Sequence, residues 1–118
     1  MTDRELLELA AKAAGIKIDK SPFNGGGDKN DGFDAMGNVV LDWHNMKTWN
    51  PLEDDGDALR LAVKLRMEID ICRTGIAVRT SAGHKILVDF SDQPNDYAAT
   101  RRAIVRAAAE LGKQSGEK

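Results

Sequence analysis

Glu68-Ile69-Asp70-Ile71-Cys72-Arg73-Thr74-Gly75-Ile76-Ala77-Val78-Arg79 is the stretch that decides the fold. Apolar and polar residues alternate strictly over Glu68–Cys72, the period-two pattern of a strand with one buried face. Thr74-Gly75 supplies turn chemistry, and Ile76–Arg79 resumes an apolar, β-branched run. Ser81-Ala82-Gly83 then turns the chain into His84-Lys85-Ile86-Leu87-Val88-Asp89-Phe90. Strands joined by such short connections pair antiparallel, because a parallel pair needs a crossover of roughly a dozen residues or more.

Helical patterns flank this sheet. Upstream, Asn50-Pro51-Leu52-Glu53 places an N-cap residue, a first-turn proline and an acid, with a second possible start at Asp54 or Asp55. Ala58, Leu59, Leu61, Ala62 and Leu65 continue as an apolar stripe to about Met67. Downstream, Pro94-Asn95-Asp96 opens a helix whose inward residues are Tyr97, Ile104, Ala107, Ala108 and Leu111, ending at Gly112. Near the start of the chain, Thr2 and Glu5 form a capping-box pair, and Leu6, Leu9, Ala10 and Ala13 recur at helical spacing up to Gly15. This predicts a helix over about residues 3–14. Between these helices, Phe33 and Met36, the Gly37-Asn38 turn and Val39-Val40-Leu41-Asp42-Trp43 read as a hairpin.

The element order is therefore α-ββ-α-βββ-α. The expected fold class is α+β: an antiparallel sheet of about four to five strands with three helices packed in layers. At 118 residues, one domain over 1–118 is the natural count. Residues 21–32, which carry Gly25-Gly26-Gly27, read as a flexible Gly-rich loop, and 113–118 as a disordered tail. The loop's acidic spacing fails the calcium-loop pattern, with Val39 where the closing Glu should stand. It also lacks a P-loop ending.

Composition narrows the function classes. Hydrophobic residues make up 42% of the chain and charged residues 31%, too apolar for wholesale disorder. Formal net charge is −2, which argues against a dedicated duplex-DNA binder. The single cysteine, Cys72, cannot form an internal disulfide, and no apolar signal segment precedes the first helix. A cytoplasmic location is expected. No apolar run approaches the roughly 18 residues of a membrane span.

Three groups of residues could carry chemistry. In Trp49-Asn50-Pro51-Leu52-Glu53-Asp54-Asp55-Gly56-Asp57, four acids crowd a helix start. One or two suffice for capping and dipole complementarity; the surplus suits a ligand, a cation or a basic partner. Trp43 and Trp49 flank the polar run His44–Thr48, where an indole can either pack in the core or stack on a planar base. Arg101, Arg102 and Arg106 on the last helix, with Arg60 on the second, are either a solvated surface or a phosphate-binding one. His44 and His84 lack neighbours at metal-ligand spacing, so no metal and no cofactor are expected.

The strings Trp49-Asn50-Pro51-Leu52, Asp54-Asp55-Gly56-Asp57-Ala58-Leu59-Arg60-Leu61-Ala62 and Asp96-Tyr97-Ala98-Ala99-Thr100-Arg101-Arg102-Ala103-Ile104 resemble a group of small phage-encoded proteins. Their layout is similar to the phage ABA-sandwich domain, and the opening helix is like theirs. The resemblance implies a phage accessory protein that acts by binding, in host counter-defence.

The leading expectation is sequestration of a nucleotide-derived immune signal without catalysis. Trp43 or Trp49 would stack on the base, Arg60, Arg101, Arg102 and Arg106 would meet phosphate, and Asn50, Asp54, Asp55 and Asp57 would hold ribose or a base edge. A homo-oligomer that completes the site is part of that expectation. The alternative is a protein–protein inhibitor that presents an acidic surface to a host defence complex. A nucleotide-cleaving enzyme, with His84 beside Asp89 or Asp96, is the third reading.

Overall fold

The computed structural model describes residues 1–20 and 31–115, so most of the Gly-rich segment and the last three residues of the expected tail lie outside the described residues. The described chain folds as α1 (Asp3–Ala14), β1 (Val39–Asp42), β2 (Lys47–Trp49), α2 (Asp55–Lys64), β3 (Glu68–Ile71), β4 (Gly75–Arg79), β5 (Lys85–Asp89) and α3 (Asp96–Ser115). This is an α+β fold. Its strands form two antiparallel sheets, a β1–β2 hairpin and a β3–β4–β5 meander, rather than one sheet. No helix among the described residues is long and apolar enough to cross a membrane.

α1 starts and stops where its end residues dictate. Thr2 accepts from the Glu5 amide and Glu5 accepts from the Thr2 amide, while Gly15 closes the helix in the left-handed region at φ 71°. Its Leu6, Leu7, Ala10, Ala11 and Ala14 are buried against α3. The facing side of α3 is equally small: Ala103, Ala107 and Ala108 are fully buried, with Val105 and Ala109. Small residues let the two backbones approach closely.

Gly112 is the extreme case. A methyl group there would sit 2.1 Å from the Leu9 carbonyl oxygen. The glycine therefore does not end α3, which runs on to Ser115; it is the point of closest contact with α1.

The meander lies on the other side of α3. Pairing of Ile69 with Val78, Ile71 with Ile76, Ile76 with Val88 and Val78 with Ile86 puts all six side chains on one face. Ile76, Val78 and Val88 are buried, and both β4 and β5 contact α3. The last helix is thus sandwiched between α1 and the sheet.

The first hairpin differs from the expectation. Val39–Asp42 pairs with Lys47–Trp49, not with Phe33–Met36, which contributes only an isolated bridge from Phe33 to Val39. The reason is local. Asp34 accepts from the amides of Met36 and Asn38, folding that segment into a tight turn with Gly37 at φ 86°. The hairpin turn is made instead by Asp42, which accepts from the amides of His44 and Asn45 and from the Asn45 carboxamide, with Met46 left-handed at φ 54°. Lys47 and Thr48 read as loop because both side chains are exposed on a short strand.

Two predictions follow from this packing. Gly112→Ala gains about 1 kcal/mol of helix propensity, yet the overlap with a backbone carbonyl cannot be relieved by a rotamer change. A net loss of roughly 1–3 kcal/mol is expected in urea unfolding. Separately, bonds from the Asn45 carboxamide and amide hold the Asp42 carboxyl below its ordinary value of 3.8. A carboxyl depressed on folding stabilises the fold above its unfolded pKa and stops doing so as pH falls through the folded one. Amide exchange at His44 and Asn45 should therefore stay slow at neutral pH and accelerate below the ordinary aspartate range, an acid sensitivity that Asp42→Asn removes.

Candidate functional site

The segment that leads from β2 into α2 is held by its own polar groups. The Asn50 side chain accepts from the Leu52 amide at 3.0 Å and donates to the Asn38 side chain at 3.0 Å. Its backbone N–H donates to Asp57 at 2.9 Å. Asp54, not Asn50, is the N-cap of α2, accepting from the Asp57 amide at 2.7 Å. Asp57 also accepts from Arg60 at 2.7 Å.

Arg101 reaches this segment from α3. Its Nε donates to the Leu52 carbonyl at 2.8 Å and a terminal nitrogen donates to Asp55 at 2.6 Å. Three of the four crowded acids thus have partners within the fold. The crowding that looked surplus in the sequence is largely explained by the helix start and by Arg101.

The residues singled out in the sequence fall into separate places. Asn50, Asp54, Asp57 and Arg60 line one polar cavity of about 480 Å³ together with Asn38 and Thr48. Arg101 and Arg102 line a smaller one, about 260 Å³, with Asn95 at the start of α3 and with Leu52 and Glu53. Arg102 holds Asp3 of α1 at 3.1 Å. Arg106 is exposed on α3.

Trp49 is 6% exposed and packs in the core, where it presents no open ring face. Trp43 is half-buried and donates its indole N–H to the Asp19 carbonyl. The structure therefore brings arginines of α3 to the Asn50–Asp57 segment, but without an indole between them. His84 pairs with Thr80 at 3.2 Å across the β4–β5 turn, while Asp89 stands at the opposite end of β5 and accepts from Ser91. No group of three or more metal-ligating side chains occurs among the described residues.

A different surface stands out. α2, β3 and the first turns of α3 enclose a groove of about 530 Å³, walled by Leu59, Ile69, Ile71, Phe90, Tyr97 and Ile104, with Asp55, Asp96 and Arg101 at its margin. Its walls are open to solvent: Leu59 is 61% exposed, Ile71 68% and Tyr97 70%. Tyr97, expected to face inward, instead stands at the rim. β3 extends past the cover of α3, so the apolar side of its alternating pattern is only partly buried. Periodicity identifies the apolar face of a strand but not whether another element lies over it, so the groove was not legible from the pattern alone.

The double bond of Arg101 gives the site its frame. Arg101→Ala is expected to cost about 2 kcal/mol in chemical unfolding, the value of a partly buried, charge-assisted pair of bonds. Arg101→Lys should recover less than half of this, since one ammonium cannot serve the Leu52 carbonyl and the Asp55 carboxylate in the same geometry.

Compared with family models, curated proteins and solved structures, the chain matches none of them.

Proposed function

We propose that this chain is a non-catalytic accessory protein that inhibits a host protein by docking on it through the α2–β3–α3 groove. The observation that carries the reading is the groove itself. Scattered exposed apolar residues are normal on a protein surface, whereas contiguous ones mark contact sites. Leu59, Ile69, Ile71 and Tyr97 are contiguous, and they come from three elements.

Acids surround them. Asp55 and Asp96 stand at the margin, and Glu68 and Asp70 are exposed on the reverse side of β3. This is the acidic-surface inhibitor of the sequence reading, centred on the groove. The likeness of Trp49–Ala62 and Asp96–Ile104 to small phage-encoded proteins supports a counter-defence setting in the host cytoplasm.

Capture of a nucleotide-derived ligand has one observation in its favour, the small cavity where Arg101, Arg102 and Asn95 converge. Against it, both arginines already hold carboxylates, and Trp49 offers no platform for a base.

Site-specific photocross-linking in bacterial cells separates the two. A benzoylphenylalanine at Leu59 or Tyr97 should give discrete protein adducts that disappear with Ile71→Asp. The same group at Leu87, exposed on the far face of the sheet, should give none. Retention of a cyclic or linear nucleotide after filtration, released intact on heating, together with no adducts, would replace docking with capture.

A further inference from the structure

β3 is an edge of its sheet, since the strand order is β3–β4–β5. Its hydrogen-bonding pattern is set by the hairpin that follows. The Cys72 amide donates to the Gly75 carbonyl at 2.9 Å. In an antiparallel ladder, bonded and non-bonded pairs alternate. Cys72, Asp70 and Glu68 therefore exchange bonds with β4, and the N–H and C=O groups of Ile69 and Ile71 point to the open edge.

The two edges of the sheet are unlike. On β5 the residues whose backbone points outward are Lys85, Leu87 and Asp89, and charged side chains there blunt further pairing. β3 carries neither lysine nor proline, and its outward-pointing residues are the isoleucines that wall the groove.

We infer that β3 takes up an extended segment of the docked partner as an antiparallel fourth strand, and that this segment alternates apolar and basic residues. The inference rests on the groove being a protein-docking site and specifies how the partner is held. Residues directly opposite one another in a ladder share a face. The partner residues bonded to Ile69 and Ile71 would send their side chains into the groove toward Leu59 and Tyr97. The intervening residues would lie on the reverse face beside Glu68 and Asp70. Asp70 has only Ala77 opposite it on β4, so a cation on the incoming strand would meet an acid with none facing it there.

The same charges disfavour a second copy as the occupant. A two-fold axis through Asp70 sets Asp70 against Asp70, and one through Ile69 sets Glu68 against Asp70. An axis through Ile71 avoids this but carries Ile69 past the strand end, against Arg73. Like charges directly opposed weaken a strand pair.

The test uses the full chain and a short synthetic peptide of alternating valine and lysine, with binding followed by calorimetry. Valine N–H groups should face β3 and lysine N–H groups should face away. N-methylation of the valines should weaken binding at least about tenfold, while N-methylation of the lysines should leave it within about twofold. Asp70→Lys should reverse the preference toward an alternating valine–glutamate peptide.

Equal binding of both methylated peptides, or an unchanged preference in Asp70→Lys, would overturn strand addition. If cross-links at Leu59 and Tyr97 persist in that case, the groove still docks a protein and only its mode is wrong. Their absence would remove the docking reading itself. A dimer of the free chain that the valine–lysine peptide disperses would overturn the inference in favour of self-pairing.

Discussion

The close approach of α1 to α3 is the constraint on which the other contacts depend. Alanines on both helices and Gly112 beneath the Leu9 carbonyl bring the backbones together with little side-chain volume between them. The chain is only 5% aromatic, and a core built from alanine, valine and leucine needs many short contacts to match the packing that a few large rings would supply. With α3 held this way, its opposite side is left for the meander and α2.

Arg101 and Arg102 then tie the layers at their polar ends. Arg101 links α3 to the start of α2, and Arg102 links α3 to the start of α1. Each ends on an acid in the first turn of a helix, where a carboxylate also faces the positive end of the helix dipole. The acids and arginines that resembled two halves of a ligand site are to a large extent partners of each other. That arrangement weakens the case for phosphate capture and leaves the uncovered apolar side of β3 as the most distinctive surface.

Much of the fold was legible in the residues. Thr2, Glu5 and Gly15 bound α1 because capping is a local interaction, and the β3–β4–β5 meander is written in alternation and short turns. The β1 partner was misassigned because Gly37-Asn38 and Asp42–Met46 both have turn chemistry, and only the long-range bridge from Phe33 to Val39 distinguishes their roles. Gly112 was read as a stop because a glycine near a helix end usually is one; that it accommodates another helix depends on tertiary packing. For the site, Asp55 and Arg101 do meet, across 46 residues of sequence. The burial of Trp49 and the exposure of Tyr97 depend on which elements cover them, which no local pattern encodes.

The central position of α3 also sets an order of assembly. During synthesis, a chain complete through Asp89 holds the strands of the meander and α1, but nothing yet lies over Ile76, Val78 and Val88 or opposite Ala10 and Ala11. Both surfaces wait for the same helix, and the α1–α3 contact closes a loop spanning most of the chain, an ordering cost met only late in folding. Until α3 emerges, the nascent chain exposes two unsatisfied apolar faces and an open strand edge, the state in which chaperone engagement matters most.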